Sequence, residues 1–243
     1  MYLCSACVSV EKCEVDEEFA YAVNSYAPAM IARISRQQGA KLVFISSDYV
    51  FDGENGPYAE NDPVGPLNVY GRSKVLAEKF IQSIDSDALI LRTTIVYGPQ
   101  QSGQNFVYQL SKAYTKKELM FCCTDQLGTP TYSRDLALLA CGLVRARCSG
   151  IFNCTGREYM SRYDFARRIY ITLGWDLSLL VPISTNQLRD RLQKRNRPYV
   201  NRGMKLGLSM DRTLGALCGE IHPRSIEQSI RHWLENPRGQ DFP

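Results

Sequence analysis

Glycine-rich turns of the form GxGxxG or GxxGxxG, set between a strand and a helix, are missing from the 243 residues, and with them the usual backbone cradle for a pyrophosphate. Charge of one sign is also scarce. Lys and Arg number 29 against 25 Asp and Glu, a net +4, which disfavours nucleic acid as the main partner. The one crowd of cations comprises Arg189, Arg191, Lys194, Arg195, Arg197, Arg202 and Lys205; it reads either as a solvated helix and loop or as a seat for a diphosphate. No apolar run approaches the length needed to span a bilayer, so no membrane association is expected, and no segment carries the pattern of a signal peptide. Nine cysteines fall at irregular positions and cannot all pair, so a reducing, cytoplasmic setting is expected. Cys4 and Cys7 form a CxxC with Cys13 beyond it. No second CxxC or nearby histidine completes a zinc site, and the three read as small buried thiols.

What is present is an ordinary globular composition, 44% hydrophobic and 22% charged, enough to bury a sizeable core. Apolar residues at helical spacing from Glu17 to Gln38 run through Gly39 into the apolar stretch Lys41 to Ser46, which reads as helix, tight turn and buried strand. A polar loop from Asp52 to Asn68 follows, then a helical pattern from Val69 to Ile84 and a strand at Ala88 to Thr93. The alternation continues with helices near 105–117 and 133–146 and strands at 119–123 and 150–154. Ser161-Arg-Tyr-Asp164 has the look of a capping box opening another helix, and a helix near 224–235 closes the chain. Alternating helices and wholly apolar strands indicate an α/β fold with a doubly wound parallel sheet covered on both faces. The chain opens almost inside an apolar run, Met1 to Val8, read as the remnant of a fourth, central strand whose preceding βαβ unit is not in this sequence. Such a strand is expected to be left as an unprotected edge.

Two Tyr-xxx-Lys pairs occur, Tyr70/Lys74 and Tyr108/Lys112. The spacing sets a phenol and an ammonium one helical turn apart; the positive charge is expected to lower the tyrosine pKa, so that the phenol can pass a proton to or from a carbonyl or alcohol oxygen. Tyr108 lies among Phe106, Leu110 and Tyr114 in an amphipathic pattern and reads as structural. Tyr70 has a better setting, because the strand through Phe44 and Ile45 ends in Ser46-Ser47-Asp48 and ligands of open parallel sheets lie beyond the carboxyl ends of strands. On residues alone a structural role for that pair stays open.

The stretches Phe44-Ile-Ser-Ser-Asp-Tyr-Val-Phe-Asp-Gly53, Pro66 to Lys74, Leu91-Arg-Thr-Thr-Ile-Val-Tyr-Gly98 and Asp125-Gln-Leu-Gly-Thr-Pro-Thr131, with Arg197-Pro198 and Leu208 to Asp211, resemble the dTDP-4-dehydrorhamnose reductases, a family of extended short-chain dehydrogenase/reductases. The resemblance implies a Rossmann-type fold lacking its first βαβ unit. It implies residues 1–150 as a partial NAD(P)-binding domain, with the turn 98–105 contributing to the substrate side, and 151–243 as mainly a substrate-binding region. It implies NADPH or NADH as cofactor and a nucleotide-linked 4-keto sugar as substrate. Tyr70 becomes the proton donor, Lys74 its partner and a ligand of the nicotinamide ribose, and Ser47 the hydroxyl at the carbonyl. Asp48 joins Ser47 at the sugar, and Ala6, Cys7 and Val8 form a turn that touches the cofactor. Ile95 stands where the family commonly has Trp. The regulatory β subunit of methionine adenosyltransferase, which acts by binding an enzyme partner, shares the wording around Ser47, so a non-catalytic binding subunit is the alternative; a homodimer or an enzyme partner is the expected assembly.

Overall fold

The computed structural model describes residues 1–99 and 105–236; positions 100–104 of the turn expected on the substrate side lie outside them. In chain order, β1 (Tyr2–Leu3) leads to α1 (Val10–Val15), α2 (Glu17–Tyr21) and α3 (Ala27–Gln37), then β2 (Val43–Ser47), α4 (Val69–Ile84), β3 (Leu89–Thr93) and β4 (Val96–Tyr97). Next come α5 (Phe106–Thr115), β5 (Met120–Cys123), β6 (Leu127–Gly128), β7 (Thr131–Tyr132), α6 (Ser133–Arg145), β8 (Gly150–Asn153) and β9 (Met160–Ser161). The chain continues with α7 (Arg162–Leu173), β10 (Leu180–Ile183), α8 (Thr185–Lys194), α9 (Asp211–Ala216) and α10 (Ile226–Glu235).

The main sheet has the order β1-β2-β3-β8 with all pairings parallel, and its strands are hydrophobic on both faces because both are covered. Successive side chains of a strand point to opposite faces. Val43, Leu89 and Leu91 accordingly pack with Leu139 and Leu143 of α6 and with Phe152, while Phe44 and Ile90 pack with Ala32 of α3 and Ala77 and Ile81 of α4. Each fully buried leucine or isoleucine contributes about 1.5–3 kcal/mol. This is the α/β arrangement with a covered parallel sheet read from the alternation of elements, and it agrees with the Rossmann type that the resemblance implies.

Two departures matter for the site. The helical stretch expected from Glu17 to Gln38 is interrupted by a π-helical turn at Ala22–Tyr26, which turns Asn24 and Ser25 inward. Asn24 donates to Ser73 Oγ at 3.2 Å and to the Cys7 carbonyl at 3.1 Å, and Ser25 donates to the Ser73 carbonyl at 2.7 Å, tying this turn to α4. The apolar strand β5 does not join the main sheet but pairs in parallel with β10. Together with α5, α7 and α10 it surrounds a second core containing Phe165, Tyr170 and Trp233. Hydrophobic periodicity marks β5 as buried without saying which strand it pairs with.

Candidate active site

The carboxyl end of β2 delivers Ser47 and Asp48 into a short 3-10 turn, Asp48–Val50, whose first N–H groups need a partner. Ser47 Oγ accepts from Tyr49 N at 3.2 Å and donates to Asp48 Oδ1 at 3.2 Å. Opposite, α4 starts at Asn68, whose side chain accepts from Gly71 N at 2.9 Å, and Glu14 accepts from Val69 N at 2.7 Å. These two caps fix the first turn of α4 and with it Tyr70. Gly71 is required there: a Cβ would lie 2.2 Å from the Tyr49 carbonyl oxygen, so the helix can touch the Ser47–Tyr49 turn only without a side chain at that position.

Tyr70 and Lys74 are both buried. Lys74 Nζ donates to the Ile45 carbonyl at 2.9 Å and stands 4.6 Å from the Phe44 ring centroid and 5.9 Å from that of Tyr70. Burial lowers its pKa to about 8, against the opposing pull of Glu78 and Cys13. Glu78 in turn receives two bonds from Arg92, at 3.0 and 2.7 Å. Burial raises the Tyr70 pKa, with the Ser47 hydroxyl pulling the other way. The cation spacing had suggested a lowered value; the dominant cause here is desolvation, and Tyr70 rests as a neutral phenol. Asp48 is pushed up to about 6 by burial, opposed by hydrogen bonds from Thr94 and Ser47 and by the charge of Arg162.

Ser47, Asp48, Tyr70, Lys74 and Ile95 line one cleft of about 1050 Å³, and Ala6 and Val8 line it too. Cys7 departs from this set. Its side chain packs with Cys13, Val69 and Tyr70 in a small apolar cluster, its Sγ lying 3.7 Å from that of Cys13. Ile95 adopts φ 43°, a strained value for a β-branched residue. Tyr108 is buried edge-on against Trp233 at 5.3 Å. Of the basic crowd near α8, Arg189 covers Tyr199 and Arg191 covers Phe121; Arg202 alone lines the cleft, paired with Glu11. Among the described residues no group of three or more His, Cys, Asp or Glu is placed to hold a metal ion, and no helix is long and apolar enough to cross a membrane. The cleft also has Thr94, Tyr49, Gln126 and Arg162 on its walls, residues that motif reading did not single out. Thr94 stood inside a quoted block; Arg162 gave no local signal.

The family model described as RmlD substrate binding domain matches residues 1–202. The chain belongs to this family. It is 37% identical over 232 residues to the spore coat polysaccharide biosynthesis protein SpsK of Bacillus subtilis (strain 168), covering 95% of this chain and 77% of that protein. It is 33% identical over 187 residues to dTDP-4-keto-6-deoxy-D-glucose reductase of Streptomyces niveus, covering 76% of this chain and 64% of that protein, just under two thirds of its length. Among solved structures, dTDP-4-dehydrorhamnose reductase of Bacillus anthracis str. Ames in complex with NADP superposes with a TM-score of 0.85 at 27% identity, over 96% of this chain and 78% of that one. The resemblance read from the quoted motifs therefore holds at family level.

Proposed function

We propose that this chain serves the reduction of a 4-keto group on a nucleotide-linked deoxysugar, with NADPH or NADH as cofactor. The supporting observation is the neutral, buried Tyr70 phenol facing the Ser47 hydroxyl beside Lys74 at the floor of the cleft. The names of the relatives point to the same substrate class. The residues fit the nicotinamide end of the cofactor. Lys74 has spent one N–H on Ile45 O and an ammonium has three, so two remain for ribose hydroxyls, with Ala6 and Val8 supplying apolar contact. The 243 residues contain no glycine-rich turn of the pyrophosphate-binding kind. When bound, the reduced nicotinamide supplies the hydride.

The protein's own part is proton delivery. Ser47 turns its one hydroxyl hydrogen from Asp48 Oδ1 to the carbonyl oxygen and holds that oxygen against the Tyr70 hydroxyl, which hands over its proton as negative charge develops there. The charge left on the phenolate is answered by the nearby Lys74 ammonium, which is mostly protonated at pH 7 with a pKa of about 8. Turnover of a dTDP-linked 4-keto-6-deoxyhexose at saturating NADPH tests this reading. Tyr70→Phe is expected to lower turnover by roughly 100-fold or more, and Tyr108→Phe to leave it within a factor of two or so. Equal losses in the two variants would assign the chemistry elsewhere. A wild-type chain that binds NADPH and the nucleotide sugar without turnover would favour the binding-subunit alternative.

A further inference from the structure

Arg162 is the first residue of α7. Ser161 caps that helix by accepting from Asp164 N at 2.9 Å, and Arg162 N donates to the Gln126 carbonyl at 2.9 Å, where β9 pairs antiparallel with β6. The backbone of Arg162 is therefore fixed. Its guanidinium carbon lies 5.1 Å from the Phe106 ring centroid, and the side chain lines the same cleft as Ser47, Asp48 and Tyr70.

What sets Arg162 apart is its bonding. Lys74 is bonded to Ile45 O, and Arg202 is paired with Glu11. Among the described residues the Arg162 side chain takes part in no ion pair and no hydrogen bond. A guanidinium carries five N–H donors in a rigid fork that matches phosphate and carboxylate oxygens. Leaving such a group partly buried without an acceptor is unfavourable unless water or a ligand answers it. The acid nearest in sequence, Asp164, is exposed and accepts from the Ser161 hydroxyl at 2.6 Å, so it does not answer Arg162. The field of Arg162 reaches Asp48 and Tyr49, opposing the rise that burial imposes on both.

We propose that Arg162 is the anion receptor of this cleft and takes the diphosphate of the nucleotide-linked sugar in a two-pronged grip, with Phe106 holding the guanidinium plane. This rests on the reading that the substrate is a nucleotide-linked sugar. It also places the diphosphate away from the basic crowd near α8, where Arg189 and Arg197 line a separate, open depression. A bidentate phosphate contact answers the unmatched donors and, from across the cleft, leaves the sugar facing Ser47 and Tyr70.

Calorimetric titration of the full chain with dTDP, and separately with thymidine, tests the proposal. Arg162→Gln is expected to weaken dTDP binding by roughly 10-fold or more and to flatten its salt dependence. Arg162→Lys, which keeps the charge but loses the fork, is expected to fall between, and Arg197→Gln to bind as the wild type does. Thymidine should not distinguish the variants. Equal dTDP binding by wild type and Arg162→Gln, or a loss in Arg197→Gln alone, overturns the assignment to Arg162 and leaves the nucleotide-sugar reading standing. Absence of dTDP binding by the wild type overturns both. Circular dichroism melts of each variant separate lost affinity from lost folding.

Discussion

A carboxyl taken out of water holds its proton to higher pH than an exposed one, and Asp48, with a pKa pushed up to about 6, is the clearest instance in this cleft. Its folded value lies above its unfolded one, so the folded state binds this proton more tightly. Well below pH 4, under both values, the group is protonated in both states and carries no penalty. Between about pH 4 and 6 the penalty for ionising a buried group grows, reaching on the order of 3 kcal/mol for a rise of about two pH units. An amide cannot ionise. About a third of that penalty is already present at pH 4.5, so the stability of Asp48→Asn relative to wild type should improve by roughly 2 kcal/mol between pH 4.5 and 7.5, as urea denaturation at the two pH values would report; a difference independent of pH would refute it. At this scale the meeting of Ser47, Asp48, Tyr70 and Lys74 in one cleft was legible because two short motifs, each close in sequence, carry all four. The direction of the Tyr70 shift was not, since a spacing argument sees the neighbouring cation but not the depth of burial. Arg162 was invisible for a different reason: it reaches the cleft through the pairing of Leu127 with Ser161, a contact no local pattern encodes.

Helix α4 joins the residue scale to the fold. Its bounds, Val69–Ile84, were readable in the helical spacing of its apolar residues; the Asn68 cap that fixes the start was not singled out, because Asn closes the polar loop before it. Its seating against the active-site turn depends on Gly71, whose added Cβ would also lie 2.9 Å from Pro66 Cβ. Gly71→Ala forces α4 and the Tyr49 carbonyl apart and carries Tyr70 away from Ser47. It is expected to cost about 1–3 kcal/mol of stability, as overpacking does, and to lower turnover alongside. Gly215 is the control, being a glycine inside α9 with nothing within 4 Å of an added Cβ. Gly215→Ala should stabilise by roughly 0.5–1 kcal/mol on helix propensity alone without touching turnover. Thermal melts and rates for the two variants side by side check both expectations, and similar behaviour would show that Gly71 is not a packing requirement. The π-helical turn before α3 escaped the periodicity because the apolar spacing on either side of it still reads as helical.

At the scale of the molecule, the main sheet was legible from strands hydrophobic on both faces, whereas the pairing of β5 with β10 needed contacts 60 residues apart, such as Thr185 with Asp125. The sheet ends at β1, whose one partner among the described residues is β2. Along that side Met1, Tyr2 and Val8 are at least half exposed, with none of the charges or prolines that protect natural edges. The helical segment beside it turns Phe19, Tyr26, Met30 and Ile34 outward, each more than half exposed. Unpaired backbone groups next to exposed apolar side chains favour strand addition from a second copy. The chain is therefore expected to self-associate through β1, giving a mass above that of one chain by size exclusion with light scattering, rising with concentration. Placing a charge on the edge, as in Tyr2→Lys, disfavours that pairing and should shift the population toward monomer. Amide exchange at Cys4 to Ala6 should slow as the concentration of the wild type rises. A stable wild-type monomer with slow exchange at those residues would overturn the expectation, because an edge left open to solvent has no protection to offer its amides.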